Sequence, residues 1–290
     1  MTINRIHSLD NLSAAPKQRP FVVSILSGKG GVGKSVISFN LASELARRRF
    51  HTVIIDADWY FGNQHILSNV MPQATLYDLI YPEKSGATDI APINEYLRVV
   101  ASASLSKAAE SFHEADFARM LSNLRRLFAS YDFLVLDTAS GIVELVALAA
   151  SASDLNLIVI NPELTAIADG YGLFKYILKA NRQLTVHILN NRVKNAGEAQ
   201  YIYQKFSYLT ERFLRRVPHD AGYLLEDSRV AESIGAQKPL FQLDGNSIAG
   251  QAIKDLSKLI LRESGYLLEG LAKENKEKIN SHIVAADIKE

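Results

Sequence analysis

The sequence contains no cysteine, and this absence alone excludes several kinds of site. Without a thiol the chain forms no disulfide, has no cysteine nucleophile and cannot hold zinc or an iron–sulfur cluster through sulfur ligands. Net charge is also small, because 32 lysines and arginines stand against 31 aspartates and glutamates, a formal net charge of +1. This balance excludes a globally basic nucleic-acid binder but leaves room for a local basic patch.

Long apolar runs are missing as well. Residues 1–20 lack the apolar core of a secretory signal. The longest candidate run, Ile142 to Ala150, is broken by Glu144 and falls short of the ~20 residues that a spanning helix needs. We therefore expect a cytoplasmic protein, either free or peripheral at the inner face of the membrane or at the cell pole.

Short apolar segments alternate with amphipathic segments along most of the chain. The predicted strands are Phe21–Leu26, Thr52–Ala57, Leu97–Ala101, Phe133–Asp137, Leu155–Asn161 and Val186–Asn190. The predicted helices are Ser35–Arg48, Asp116–Ala129, Ala166–Ala180, Gly197–Phe213 and Ile248–Leu261. Apolar strands that alternate with helices are typical of an α/β fold, a doubly wound, mostly parallel sheet of about seven or eight strands flanked by helices. We divide the chain into a flexible arm (1–19), one domain (20–265) and a charged tail (266–290).

A glycine-rich loop follows the first predicted strand. Residues 28–35 fit the pattern G-x-x-x-x-G-K-[ST] between a strand and a helix, which predicts a phosphate-binding P-loop. Lys34 would place its charge on the β- and γ-phosphates, and the Ser35 hydroxyl would ligate Mg²⁺. Backbone N–H groups converge on phosphate oxygens only where no Cβ intrudes, which explains the glycines at Gly28, Gly30, Gly31 and Gly33.

A second lysine, Lys29, lies early in the same loop. With it, the loop resembles the deviant Walker A motif of the MinD/ParA family of ATPases. The resemblance implies an ATP-binding ATPase in which Lys29 crosses a homodimer interface to the partner's ATP, so Lys29 and Lys34 are both assigned to catalysis. Many relatives carry a hydroxyl residue at the position of Val36. The residues implied to hold the nucleotide here are Gly28, Gly30, Gly31, Val32, Gly33, Lys34, Ser35 and Val36.

Acidic residues close two of the predicted strands. Asp56 and Asp58 end the second strand, where open α/β sheets bind ligands. By the resemblance, Asp58 orients the attacking water, Asp56 helps the metal site and Asn63 senses phosphate. The alternative is a pair of capping or surface aspartates. Asp137 ends an apolar strand as a Walker B aspartate does, so Ser35, Asp56 and Asp137 are the predicted metal site.

Two later segments extend the resemblance. Thr138 to Ile142 is similar to the switch II loop, in which Gly141 lets a backbone amide approach the γ-phosphate. Glu163 and Asp169 resemble residues that face the partner subunit. The alternative for this pair is a helix N-cap with a first-turn acid.

An asparagine side chain that recognises the adenine base is predicted near the end of the strand that begins at Val186. Asn191 is the best-aligned residue, with Asn190 as the alternative, and a side-chain amide can pair with the edge of adenine. Pro218 and Asp220 resemble the segment that walls the adenine pocket.

Within the family, several stretches are most similar to the FlhG/FleN regulators of flagellar number. They are Asp56–Asp58 with Gly62-Asn63, Thr75–Ile80, Leu136–Ile142 and Thr165–Lys175. Residues 1–19 do not match the D-Q-A-x-x-L-R segment with which that branch engages its GTPase partner. MinD-like division-site ATPases and ParA-like partition ATPases remain alternatives.

The sequence leaves two surface interactions open, one with a membrane and one with DNA. Residues 269–290 contain four lysines and five acidic residues, a net charge of −1 that does not favour anionic membranes. Two basic clusters would, if functional, give salt-dependent, sequence-independent DNA binding, and the alternative is that they are solvated faces. They are Arg47–Arg49 and the group Lys205, Arg212, Arg215 and Arg216.

Two functions from different classes fit these observations. The first is an ATP-dependent dimerising switch with slow hydrolysis, stimulated by a protein partner, that regulates the placement or number of flagella or of another assembly. The second is a metabolic P-loop kinase or ligase. The early Lys29 and the loop after Asp137 favour the switch.

Overall fold

A computed structural model describes residues 19–59, 61–81, 90–102, 114–141 and 143–266, and within them a single sheet of eight strands lies at the centre. The strands are β1 (Phe21–Leu26), β2 (Thr52–Ala57), β3 (Ala91–Pro92), β4 (Leu97–Val100), β5 (Phe133–Thr138), β6 (Leu155–Ile160), β7 (Val186–Val193) and β8 (His219–Leu225). Their order is β3-β4-β2-β5-β1-β6-β7-β8. All neighbours are parallel except β3 and β4 at one edge. The predicted doubly wound, mostly parallel sheet is confirmed.

Helices cover both faces of this sheet. They are α1 (Lys34–Arg47), α2 (Gln64–Leu67), α3 (Leu76–Ile80), α4 (Glu114–Leu127), α5 (Val143–Ala152), α6 (Leu164–Ala180), α7 (Ala196–Leu214), α8 (Ser228–Ala236), α9 (Leu240–Asp244) and α10 (Ile248–Ser264).

The core is split by the sheet because successive residues of a strand point to opposite faces. Val23 of β1 packs with the side chains of α1 and α10 on one face. Its neighbour Val22 packs with α4 and α5 on the other face. Helices α6 and α7 extend that second layer beside β6 and β7, where Phe174 meets Phe206 with ring centroids 6.2 Å apart. Both faces of the central strands are therefore dry, which explains why those strands are apolar without alternation.

Several elements are absent from the sequence prediction, and each has a weak local signal. Strand β8 lies at a sheet edge and is half-exposed, so it lacks a continuous apolar run. Strand β3 has only two residues. Helix α5 is apolar over most of its length, so it shows no 3.6-residue alternation. Strand β7 also runs past Asn190 to Val193, which places Asn191 inside the strand.

Most of the predicted arm and tail lies outside the described residues. Arg19 is described, and its guanidinium forms two hydrogen bonds with the Asp154 carboxylate, at 3.2 and 2.9 Å. At the other end, the Tyr266 ring packs 5.4 Å from that of Phe50 and 5.2 Å from that of Phe133. In the described ranges no helix combines the length and apolarity needed to cross a bilayer.

Candidate nucleotide-binding site

The P-loop joins β1 to α1 and lies at the edge where the parallel strands end. Two of its glycines are required by close packing. A Cβ on Gly28 would lie 2.3 Å from the backbone oxygen of Asp169, and a Cβ on Gly33 would lie 2.4 Å from Nδ2 of Asn191. Gly33 also has φ of +101°, which L side chains rarely adopt, as it caps α1. The loop is therefore held against both β7 and α6.

Lys34 begins α1 with its side chain buried. Burial lowers the pKa of its ammonium group, and the nearby carboxylates of Asp137 and then Asp58 act in the opposite direction. The predicted phosphate-binding lysine thus lies close to two of the predicted acidic residues.

Asp56 and Asp137 are register neighbours on the parallel strands β2 and β5, and both are almost fully buried. Burial, and then the charge of Asp137, raises the pKa of Asp56 well above its usual range. Burial also raises the pKa of Asp137, against hydrogen bonds from Gln64 and Ser35 and the charge of Lys34. The carboxylate oxygens of both residues and the hydroxyl of Ser35 are the ligand type that Mg²⁺ prefers.

The described residues contain no cluster of three His, Cys, Asp or Glu side chains able to hold a metal alone.

Gln64 is a residue of this site that the sequence analysis does not identify, although it names the neighbouring Asn63. It is fully buried, and its Nε2 donates to Oδ2 of Asp137 at 2.8 Å and to the backbone oxygen of Ser35 at 3.0 Å. Its backbone N–H donates to Oδ2 of Asp56 at 2.9 Å. Asn63, in contrast, is exposed. A glutamine in a surface-like stretch gives no local sign that it is buried.

Asp58 lies just past β2 and is half-buried. Its Oδ1 accepts a hydrogen bond from the backbone N–H of Phe61 at 3.1 Å, and its own N–H donates to Oδ1 of Asp56 at 3.3 Å. The two aspartates therefore differ in environment, because Asp56 is fully buried while Asp58 is half-buried and accessible to a ligand.

Lys29 is engaged within its own chain. Its Nζ donates to the carboxylate of Glu163 and, at 2.9 Å, to Oγ1 of Thr165. The hydrogen bond from Lys29, and then the one from Asn161, lowers the pKa of the Glu163 carboxyl. Glu163 also precedes α6 as its N-cap, without a side-chain capping bond. Asp169 is exposed on the same helix, next to Gly28.

Asn191 and Asn190 point to different surroundings. Nδ2 of Asn191 donates to the backbone oxygen of Val32 at 2.7 Å, so this amide touches the P-loop. The Asn190 amide lies 3.5 Å from the backbone oxygen of Ala199 on α7. Asn191 also lines a cavity of about 380 Å³ beside the loop. Other residues of that cavity are Gly33, Val36, Arg192, Leu225, Glu226, Asp227 and Ile234.

The expectation that Pro218 and Asp220 wall the base pocket is wrong. Asp220 pairs with Ile188 near the start of β7, and Pro218 precedes β8, so both lie at the opposite end of the sheet from the P-loop. The cavity is lined instead by the residues that end β8, Leu225 to Asp227.

The two basic clusters differ in the partners of their arginines. Arg47 and Arg48 both form ion pairs with the buried carboxylate of Glu44. On α7, Arg212 lies over the rings of Tyr208 and Phe213, at 6.0 and 5.4 Å from their centroids. All four residues of the second cluster are exposed, whereas Arg48 of the first is half-buried.

The sequence was compared with known families and proteins. A family model described as "AAA domain" matches residues 21–192. The antiactivator FleN of Pseudomonas aeruginosa is 27% identical over 240 residues, covering 82% of this chain and 85% of that protein. The flagellum site-determining protein YlxH of Helicobacter pylori is 25% identical over 267 residues, covering 89% and 90%. These matches confirm the resemblance to the flagellar branch of MinD/ParA ATPases.

A comparison of folds agrees. The septum site-determining protein MinD of Pyrococcus horikoshii, solved with Mg-ADP, superposes with a TM-score of 0.69 over 83% of this chain and 96% of that one. The two sequences are 19% identical, so this likeness concerns the fold.

Proposed function

The chain belongs to the AAA domain family, and we propose that it is an ATP-dependent dimerising switch with slow ATP hydrolysis that regulates flagellar placement or number, or that of another cellular assembly. The observation that supports this most is the convergence of Lys34, Asp137 and Asp58 at the end of the P-loop. The names of the relatives FleN and YlxH support the flagellar role.

ATP and Mg²⁺ fit the residues of this edge. The loop N–H groups and Lys34 would bind the phosphates, and Ser35 with Asp137 would hold the metal ion, with Asp56 next to it. Mg²⁺ supplies positive charge that neutralises the phosphate oxygens. Asn191, already in contact with the loop through Val32, would contact the base in the adjoining cavity.

Asp58 is the residue best placed to act on water. Asp56 accepts hydrogen bonds on both carboxylate oxygens and is buried, whereas Asp58 is half-buried and uses Oδ1 for the Phe61 N–H. Its Oδ2 would orient the attacking water and accept its proton. Hydrolysis would be slow until a partner protein completes this arrangement.

Lys29 supplies the link to dimerisation. It lies on the exposed side of the loop and is held by Glu163 and Thr165 of its own chain. In the ATP-bound homodimer it would leave Glu163 and reach the partner's phosphates, because a triphosphate carries more negative charge than one carboxylate. Dimerisation would thereby depend on ATP.

Light scattering after size exclusion tests this mechanism, with ADP and with ATP plus Mg²⁺. Asp58→Ala should bind ATP and persist as a dimer, because water is no longer oriented while the interface is intact. Lys29→Ala should bind ATP but remain monomeric and inactive. Loss of one positioned catalytic group costs about 10²–10⁴-fold in rate.

Lys205→Ala, an exposed lysine over the Tyr201 ring on α7, is the control and should behave as the unaltered chain. A monomeric Asp58→Ala, or a dimeric and active Lys29→Ala, would contradict the switch and favour a metabolic P-loop enzyme.

A further inference from the structure

Gln64 lies at the centre of the candidate site, although its residue type is not one expected to act on phosphates or metals. It is fully buried. Through three donated hydrogen bonds it connects the P-loop, β2 and β5, by way of the Ser35 backbone oxygen, Asp56 and Asp137.

The orientation of the Gln64 amide is determined by its neighbours. Both Nε2 hydrogens are used, because Nε2 donates to two acceptors: a carboxylate oxygen of Asp137 and the backbone oxygen of Ser35. A flipped amide would bring Oε1 against these two oxygens, and all three atoms are acceptors. The amide therefore fixes the Asp137 carboxylate relative to the start of α1, next to the Ser35 hydroxyl.

The Oε1 atom of Gln64 has no hydrogen-bond partner among the described residues, although it is buried. A buried polar atom without a partner is costly, so its presence needs a reason. The donors that arrive with a bound nucleotide include water molecules held by the metal ion. Such a donor would satisfy Oε1 only in the loaded state.

The backbone in front of Gln64 is also closely packed on the site. A Cβ on Gly62 would lie 2.2 Å from Oγ of Ser102 and 2.5 Å from Oδ2 of Asp56. Glycine at this position lets the chain approach β2 closely enough for the Gln64 N–H to reach the same carboxylate oxygen. The loop that carries Asp58 is thus fastened to the metal-binding edge at its far end.

We propose that Gln64 is a positioning residue for the metal ion of the bound nucleotide, which it serves by holding Asp137 and the start of α1 in a fixed arrangement and by keeping Oε1 available to a metal-bound water. This inference rests on the proposed nucleotide site. Residues that orient metal ligands typically change metal affinity by about 10- to 100-fold when they are replaced. The metal-dependent part of nucleotide binding should therefore depend on Gln64, and the part that needs no metal should not.

The test is Gln64→Met, because methionine has a similar length and shape but no donor. ADP affinity is measured by calorimetry with Mg²⁺ and with a chelator, and the ratio of the two affinities is the readout. ADP is used so that neither hydrolysis nor ATP-dependent dimerisation enters the measurement. Thermal unfolding of the same samples reports stability.

Asn156→Leu is the matched control. Asn156 is a fully buried amide on β6 whose Nδ2 lies 3.2 Å from the backbone oxygens of Ala150 and Thr185 and donates to both. Its Oδ1 also has no partner among the described residues. Asn156→Leu, like Gln64→Met, removes two side-chain hydrogen bonds donated by a fully buried amide. Asn156, however, lies at the opposite end of the sheet from the P-loop.

We expect Gln64→Met to reduce the ratio of affinities with and without Mg²⁺ by about tenfold or more, with the affinity in chelator unchanged. Asn156→Leu should lower the midpoint of thermal unfolding and leave the ratio unchanged. An unaltered ratio in Gln64→Met, with only lower stability, overturns the role of Gln64 alone. Failure of the unaltered chain to bind ADP in either condition overturns the nucleotide site itself.

Discussion

Lys29 forms an ion pair with Glu163 of the same chain, and its Nζ also donates to the Thr165 hydroxyl at 2.9 Å. The pair joins the P-loop to the start of α6. The lysine that the sequence assigns to a partner's nucleotide is therefore already occupied in the single chain. If Lys29 acts across a dimer interface, it has to exchange one anionic partner for another.

The first prediction concerns Glu163→Gln, which keeps the shape of the side chain and removes its charge. Lys29 would be released, so the ATP concentration for half-maximal dimerisation should fall by a small factor, about two- to fivefold, as expected for an exposed ion pair. Light scattering over an ATP titration measures it.

Glu232→Gln is the control for this substitution, because Glu232 pairs with Arg229 in an exposed position on α8. It should leave the titration unchanged. A weaker dimer in Glu163→Gln would show instead that this carboxylate contacts the partner subunit.

The second prediction is that Lys34→Ala loses most nucleotide binding. Its buried ammonium interacts with the charges of Asp137 and Asp58, and the loss of a charged hydrogen-bond donor weakens phosphate binding by roughly 10- to 100-fold. Calorimetry with ADP and Mg²⁺ measures the affinity, and circular dichroism checks that the fold is retained. Unchanged affinity would mean that this loop does not bind phosphate.

The third prediction separates the two neighbouring amides. Asn191→Ala should reduce the preference for ATP over GTP, because Asn191 lines the cavity next to the P-loop. Asn190→Ala should keep the preference, since that side chain lies against α7. The ratio of the two nucleotide affinities is the measurement, and an equal effect of both substitutions would remove Asn191 from base recognition.

The fourth prediction is a pH dependence of stability at the opposite end of the sheet. Burial, and then the charge of His219, lowers the pKa of His187 to about 4, while Glu263 and Arg262 of α10 act on it in opposite directions. An unfolded histidine titrates near 6.5. Between these pH values the unfolded chain binds more protons, so the free energy of unfolding decreases as pH falls from about 6.5 towards 4, by up to ~1.4 kcal/mol per pH unit.

Urea unfolding between pH 4 and 7 measures this slope. His187→Phe should reduce it, because phenylalanine fills the buried position without a titrating group. His51→Gln, a change at an exposed histidine, should keep the slope of the unaltered chain. Equal slopes in the unaltered chain and His187→Phe would show that other groups set the pH dependence.

Much of the site could be predicted from the sequence because its parts are local. The P-loop is one continuous segment between β1 and α1. Asp56 and Asp137 each end an apolar strand, and the carboxyl ends of parallel strands meet at one edge of a doubly wound sheet. Their lying at the same edge therefore follows once both strands are recognised, whereas the structure shows that they are register neighbours on adjacent strands.

Other features depended on where strands begin and end. Pro218 and Asp220 were assigned to the adenine pocket, but β8 begins at His219, between them, and runs to Leu225 before it reaches the cavity. The segment carries no signal of this, because an edge strand is half-exposed and its pattern resembles that of a loop. An error of a few residues along a strand moves a side chain from one end of the sheet to the other.

The sequence by itself determined the fold class, the P-loop and the acidic strand ends, since each is encoded in contiguous residues with a characteristic period or spacing. Tertiary structure alone decided that Gln64 joins three parts of the site, that Asn191 rather than Asn190 touches the loop, and that Lys29 is held by Glu163. These are contacts between residues far apart in the chain. The physical reason is that side-chain direction depends on packing between elements, and no local pattern records it.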